Sequence, residues 1–341
     1  MKSIDGSITG PVARRRFLSS ASSAVAASVA ALASPRVQAQ AYPAHPISFV
    51  VSYPPGSVSD LSARILASEL TARLGQNVLV ENKPGAGGSI GVAAVVRAKN
   101  DGYTLCLITT STMTTAPVVY PDLPYDPHKD LAPMIMIGAT PNVLLVPASS
   151  PITSVKDLGQ RMKEAGKPFR YNSSGNGSAQ HLEGALLAKL LGVTAEHVPY
   201  RGPAEQMIAL MAGQVDFGFV AVPTSVTYVK DGRLRPLAIT STKPSAVFRD
   251  VPSFSSLGFA DLDKTSVWFG VALRSGTPDA VMNTLHAAFA SALSNPQLQS
   301  KFAALGLEPV TPMSPAEFSE FIRGQAPFWI DLLKSSGASF K

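Results

Sequence analysis

Glycines, prolines and hydroxyl side chains collect in four short stretches of this 341-residue chain, most of them lying between an apolar run and a helical one. The first holds Tyr53, Pro54, Gly56, Ser57, Ser59 and Asp60; the second is Gly85 to Gly91. The third is the hydroxyl run Thr109 to Thr115, with Ser111 and Thr112 inside it. The fourth holds Ser174, Gly175, Asn176, Gly177 and Ser178, with His181 one turn on and Tyr200-Arg201-Gly202 further along. Hydroxyls and unpaired backbone N–H groups at the start of a helix donate hydrogen bonds, and the helix dipole favours negative charge there. Glycine lets the backbone come close to a ligand. The chemistry these residues suit is capture of a small anion such as a carboxylate. Each stretch also reads as an ordinary turn: Ser59 or Asp60 as a helix cap, Thr109 to Thr115 capping the next segment of chain, and His181 as a structural histidine.

Other chemistries find little support. Cys106 is the single cysteine, inside the apolar run Tyr103 to Ile108, where a buried structural thiol is expected. His45, His128, His181, His197 and His286 show no H-E-x-x-H or H-x-x-E-H spacing, so no metal site and no cofactor is expected. The second glycine stretch lacks G-x-G-x-x-G spacing and reads as a tight strand-to-helix turn. A serine hydrolase would need a nucleophile, a base and an orienting group; Ser178 and His181 are close in sequence, but no G-x-S-x-G elbow accompanies them.

The positioning elements alternate. Strand-like runs at Ile47 to Ser52, Gln76 to Glu81 and Leu105 to Thr109 are separated by helical stretches near Ser59 to Arg73 and up to Lys99. The rhythm restarts at Phe169 to Asn172, His197 to Tyr200, Val215 to Val220 and Leu234 to Thr240. From Pro278 the chain reads as helical, broken at Ser294 to Pro296, with Ser314 and Glu317 opening the last helix as a capping box. This is the α/β class with mainly parallel sheets. Two sets of strands imply two lobes: residues 42–146 with 266–341, and residues 147–265. The apolar runs Asn142 to Pro147 and Trp268 to Leu273 are the expected crossings.

Residues 1–41 read as an export signal: Arg14, Arg15 and Arg16 before Phe17-Leu18, then an Ala/Ser-rich apolar run, with cleavage expected near Ala39 or Ala41. The arginines fit the twin-arginine form, with a general export signal as the alternative. That segment carries Lys2, Arg14, Arg15, Arg16 and Arg36 against Asp5, so only about +2 of the chain's +6 belongs to the rest. A charge so small gives nucleic acid no basic face to bind. The expected product is a periplasmic monomer.

The chain resembles the substrate receptors of tripartite tricarboxylate transporters, the Bug family. The resemblance is carried by Val51-Ser52-Tyr53-Pro54-Pro55-Gly56, Glu81 to Gly88, Asp101-Gly102-Tyr103-Thr104-Leu105 and Leu123-Pro124-Tyr125-Asp126-Pro127. Gly175-Asn176-Gly177-Ser178, Val198 to Gly202, Gly213-Gln214-Val215-Asp216, Trp268-Phe269-Gly270 and Gly276-Thr277-Pro278 continue it in order along the chain. It implies a type II periplasmic binding-protein fold, two α/β lobes with a ligand cleft between them. It also implies that the loops at Pro54 to Asp60 and Ser174 to Ser178 grip a ligand carboxylate from opposite sides, and that inner-membrane transporter subunits are partners. Ser57 stands where the family usually has a second glycine. Val220 stands where amino-acid-binding members can carry an acidic residue, which implies a carboxylate ligand without an amino group. A ligand-sensing partner of a signalling system is the alternative role.

Overall fold

The structure is a computed structural model that describes residues 42–241, 245 and 247–336; the expected export signal, with its cleavage site, lies outside the described residues. Among the described residues, ten strands form two five-stranded sheets. The first sheet begins with β1 (Ile47–Val51), followed by α1 (Val58–Leu74), β2 (Val78–Asn82), α2 (Ser89–Arg97) and β3 (Thr104–Thr109). A π-helical turn, Ser111–Thr115, runs into a short helix, Ala116–Val119, before β4 (Leu131–Thr140). The second sheet is entered through β5 (Asn142–Pro147), α3 (Val155–Glu164), β6 (Phe169–Ser173), α4 (Ala179–Leu191) and β7 (Ala195–Pro199). It is completed by α5 (Pro203–Met211), β8 (Phe217–Ala221), α6 (Val222–Lys230) and β9 (Leu234–Ile239). The chain then returns through β10 (Val267–Arg274) to α7 (Asp279–Leu293), α8 (Pro296–Ala304) and α9 (Pro315–Ser335).

The strand orders are β2-β1-β3-β10-β4 and β7-β6-β8-β5-β9. In each sheet the strand that enters from the other lobe, β10 or β5, lies antiparallel to both its neighbours. The remaining pairs, β1 with β2 and β3 and β6 with β7 and β8, are parallel. Both faces of each sheet are covered, which is why the strands read as unbroken apolar runs. On β3, Leu105 and Leu107 enter one cluster with Ile47, Phe49 and Leu66, while Cys106 and Ile108 enter another with Val92 and Trp268. On β5, Leu144 and Val146 pack with Phe217 and Phe219, while Val143 and Leu145 pack with Met207 and Leu210.

Two expectations are corrected here. Asn142 to Pro147 and Trp268 to Leu273 are core strands; the change of sheet falls at Pro141, between β4 and β5, and after Thr265 before β10. The first residue of the second sheet, Asn142, stands five residues before Pro147, where the second lobe was expected to begin. The last helix is also not confined to one lobe. Its Phe318 and Ile322 pack with the first sheet, while Trp329, Leu332 and Leu333 pack with the second. Ser314 and Glu317 do form the reciprocal capping box that starts it.

Candidate functional site

A cleft opens between the sheets with a cavity volume of ≈ 90 Å³, several times the ~10–15 Å³ that one enclosed water needs. The first lobe contributes Tyr53, Pro54, Ser57, Ser59, Thr109, Ser111, Thr140 and Phe269; the second contributes Asn142, Ser174, Ser178, Gln180, Arg201, Gly202, Gln206, Val220 and Thr224. Four helices begin on it: α1 at Val58 and Ser59, α4 at Ala179, α5 at Pro203, and α6 directly after Ala221. The start of a helix carries the positive end of its dipole and backbone N–H groups without partners in the helix; on α6 the Val222 N–H is taken by the Pro141 carbonyl. Among the described residues lining the cleft there is no Asp, Glu, Lys or His, and Arg201 is the one cation.

Local chemistry sets each loop. Ser57, not Ser59 or Asp60, caps α1: its Oγ accepts from the Asp60 N–H at 3.3 Å and donates to the Pro54 carbonyl at 2.7 Å. Asp60 is turned away from the cleft. Its carboxylate accepts from the Gly56 N–H, from Asn82 and from Arg64, bracing the loop so that Gly56 can hold φ +78°. Burial pushes this carboxyl upward, but those bonds and the Arg64 charge outweigh it and hold it below its ordinary range. In the third stretch, the Thr109 hydroxyl meets the Tyr53 hydroxyl at 3.0 Å. Thr112 is spent on the backbone of Thr109, which it both donates to and accepts from, so it shapes the end of β3 and leaves the cleft to Ser111.

The fourth stretch follows the same logic. Ser178 caps α4 by accepting from the His181 N–H, Ser174 donates to Gln180, and the Gly177 N–H donates to Nδ1 of His181 at 3.1 Å. Ser178 and His181 therefore meet as cap and backbone, not as nucleophile and base. His181 stacks on His197 at 3.9 Å. Burial pushes His181 down to about 4, and burial, then the neighbouring His181, pushes His197 down to about 3, so both rings are neutral near pH 7. Asn176 faces a small adjoining space with Gly87, Tyr120 and Ser111.

Of the expected residues, the cleft brings together Tyr53, Pro54, Ser57, Ser59, Thr109, Ser111, Ser174, Ser178, Arg201 and Val220. Gly56, Asp60, Thr112, Gly175, Gly177 and His181 support it from behind, and Tyr200 packs beside Val198 in a lateral core cluster. Val220 is the next-to-last residue of β8, at the cleft, with its side chain packed among Met207 and Leu210. Sequence reasoning missed Thr140, Asn142, Gln180, Gln206, Thr224 and Phe269. Gln180, Gln206 and Thr224 each stand in the first turn of a helix on the cleft, a signal that the four stretches alone did not exhaust. No metal-binding group of His, Cys, Asp or Glu occurs among the described residues, and no described helix is long and apolar enough to cross a membrane.

The sequence pattern of the Tripartite tricarboxylate transporter family receptor matches residues 62–337. The chain belongs to that family. BugT of Bordetella pertussis is 33% identical over 313 residues, covering 92% of this chain and 95% of that protein. Among solved structures, R. palustris Rpa4515 with adipate is 30% identical with a TM-score of 0.82, covering 87% of this chain and 98% of the other. MatC from Rhodopseudomonas palustris, with bound malate, is 26% identical with a TM-score of 0.79, covering 86% and 100%. The family assignment and the two mixed sheets identify the fold as the two-lobed α/β fold of periplasmic binding proteins, in a receptor of the Bug family.

Proposed function

We propose that this protein is a periplasmic receptor, exported through its N-terminal segment, that captures a small organic carboxylate for a tripartite tricarboxylate-type transporter, without itself catalysing a reaction. One observation carries the reading: four helix N-termini and Arg201 face a cleft whose described lining holds no acidic side chain. A carboxylate there meets backbone N–H groups, the hydroxyls of Ser59, Ser111 and Ser178, and a guanidinium suited to bidentate contact. Val220, Ala221, Val267 and Phe269 give the uncharged part of the ligand an apolar wall. An ammonium enclosed in the same space has no carboxylate to pair with, and an unpaired buried charge is costly. The favoured ligand is therefore an acid without an amino group. That two relatives are solved with adipate and malate supports the carboxylate reading.

Thermal-shift screening of the protein lacking residues 1–41 against mono-, di- and tricarboxylates and amino acids tests this. A ligand at 100 times its Kd adds about 2.7 kcal/mol of stability. A response confined to amino acids or to uncharged solutes would overturn the reading.

A further inference from the structure

The cleft-bearing helix α4 carries one acidic side chain, Glu183, and the residue is completely buried. Its carboxyl reaches both places where the chain changes sheet. The amide nitrogen of Asn142, the first residue of β5, donates to it at 3.0 and 2.8 Å. The hydroxyl of Thr265, two residues before β10, lies 2.8 Å from Oε1. Asn142 itself lines the cleft, and its amide oxygen has no hydrogen-bond partner within the protein, so the Glu183 contacts are what hold this side chain in place.

Resting on the reading of the cleft as a carboxylate site, we propose that Glu183 is a positioning residue for ligand capture, fastening both interlobe crossings, through Asn142 and Thr265, to the helix that presents Ser178 to the cleft. Lobe closure turns on these crossings, because residues at the ends of elements absorb the change in backbone angles. A single buried group holding both crossings against α4 fixes the hinge in one arrangement and delivers Asn142 to the cleft wall.

The proton balance at this group is specific. The Thr265 hydroxyl also lies 2.7 Å from the Leu262 carbonyl, which can only accept. One hydroxyl proton makes one full two-centre bond, so both short contacts are full bonds only if the carboxyl supplies the second proton. Burial pushes Glu183 up to about 8, against the lowering effect of its bonds to Asn142 and Thr265. The elements packed on α4 place no charge against it. His181 on the same helix is neutral and stacked on His197 of β7, and Lys189 is exposed. On β6 and β7, Arg170 and Glu196 are exposed, while the Tyr171 hydroxyl bonds the His181 carbonyl. Asp263 in the Ala260–Thr265 turn accepts from the Phe254 and Ser255 N–H groups, and Asp261 pairs with Lys264 at the surface. The charged residues of α9, from Glu317 to Lys334, are exposed.

Calorimetry with malate and with adipate at pH 7 and pH 9, together with spin-label distances between Lys99 and Lys156 replaced by cysteine, tests the proposal. The wild type binds about tenfold more weakly at pH 9, because only about one molecule in eleven keeps the proton. Glu183→Gln keeps a donor for Thr265 and an acceptor for Asn142, so it binds as the wild type does at pH 7 and stays flat to pH 9. Glu183→Leu broadens the ligand-free interlobe distances and weakens binding at least tenfold. A pH-independent wild type, or a Gln variant with the wild-type pH profile, overturns the proposal; neither result depends on the Leu variant folding. If the wild type binds neither acid at either pH, neither is its ligand, and the carboxylate reading is judged by the wider thermal-shift screen. The ligand-free distances then still decide the role of Glu183: unchanged distributions in the Leu variant, or a broadened one in the Gln variant, overturn it.

Discussion

The hydroxyl of Thr115 donates to the carbonyl of Gly177 at 2.7 Å, tying the helical segment after β3 in one lobe to the loop before α4 in the other. Nearby, Pro54 lies so close to Gly202 that a β-carbon there would sit 3.2 Å from its ring. Val119 completes the contact by packing into the second lobe's core. The two lobes thus meet directly beside the cleft.

Thr115→Val removes the cross-lobe bond while keeping the shape of the side chain. A neutral hydrogen bond contributes about 1 kcal/mol, so affinity for the carboxylate that thermal-shift screening identifies should weaken roughly fivefold, with the melting temperature nearly unchanged. Small-angle scattering of the ligand-free variant should show a larger particle. Equal affinity and equal size would remove the clasp from the closing mechanism.

Gly177→Val should nearly abolish binding while the fold survives. Gly177 holds φ +71°, and an added β-carbon would lie 2.5 Å from Cγ2 of Val119. The left-handed conformation costs a side chain about 1–2 kcal/mol, which lowers the melting temperature by only a few degrees. The displaced loop carries Ser178 away from the cleft, and affinity should fall more than tenfold by calorimetry. Retained affinity would show that this loop does not contact the ligand.

Amine-free acids should bind ten- to a hundredfold better than glutamate or aspartate, the range expected from losing one charged hydrogen bond of about 1.5–3 kcal/mol. Competition calorimetry measures this. Val220→Asp should leave the preference in place at a cost of several kcal/mol in stability, because the new carboxylate enters a cluster containing Met207 and Leu210 and not the cleft. Tight glutamate binding by the unmodified protein would refute the preference.

The buried histidines should cost stability as the medium is acidified below pH 6.5. The folded-state values of His181 and His197, about 4 and about 3, lie below the ordinary histidine value. Between those values and 6.5 the unfolded chain binds more protons than the folded one, so stability is lost as pH falls through this window. Glu183, held at about 8, acts in the opposite sense as pH falls, so the histidine share is read by difference: between pH 6.5 and 5 the loss in urea midpoint should shrink in a His181→Gln, His197→Gln variant. A variant with the wild-type slope would place the effect on other groups.

Much of this fold was legible because its strands are covered on both faces and therefore read as uninterrupted apolar runs, with glycine and hydroxyl residues marking where each ends. The same marks led to nine of the expected residues that line the cleft, and the family resemblance to the tenth, Val220. What sequence could not show was orientation and docking. Asp60 and Thr112 have the right chemistry but are consumed by local bonds to Gly56 and Thr109, and such bonds depend on loop geometry. Ser57 takes the cap from Ser59 because its hydroxyl also reaches Pro54. Asn142 and Phe269 reach the cleft only through the pairing of β5 and β10 with distant strands, a long-range choice that apolar runs do not encode.

Helix α9 carries a consequence for dissection of the molecule. Its last turns place Trp329, Leu332 and Leu333 in the second lobe's core, although the chain from β10 to the start of α9 belongs to the first. A fragment cut at the two crossings, residues 142–265, would lose those three side chains and bare the apolar surface around Phe217 and Phe219 to water. Such a fragment should be recovered as aggregates, and a peptide spanning Pro327 to Ser336 supplied in trans should restore it to solution.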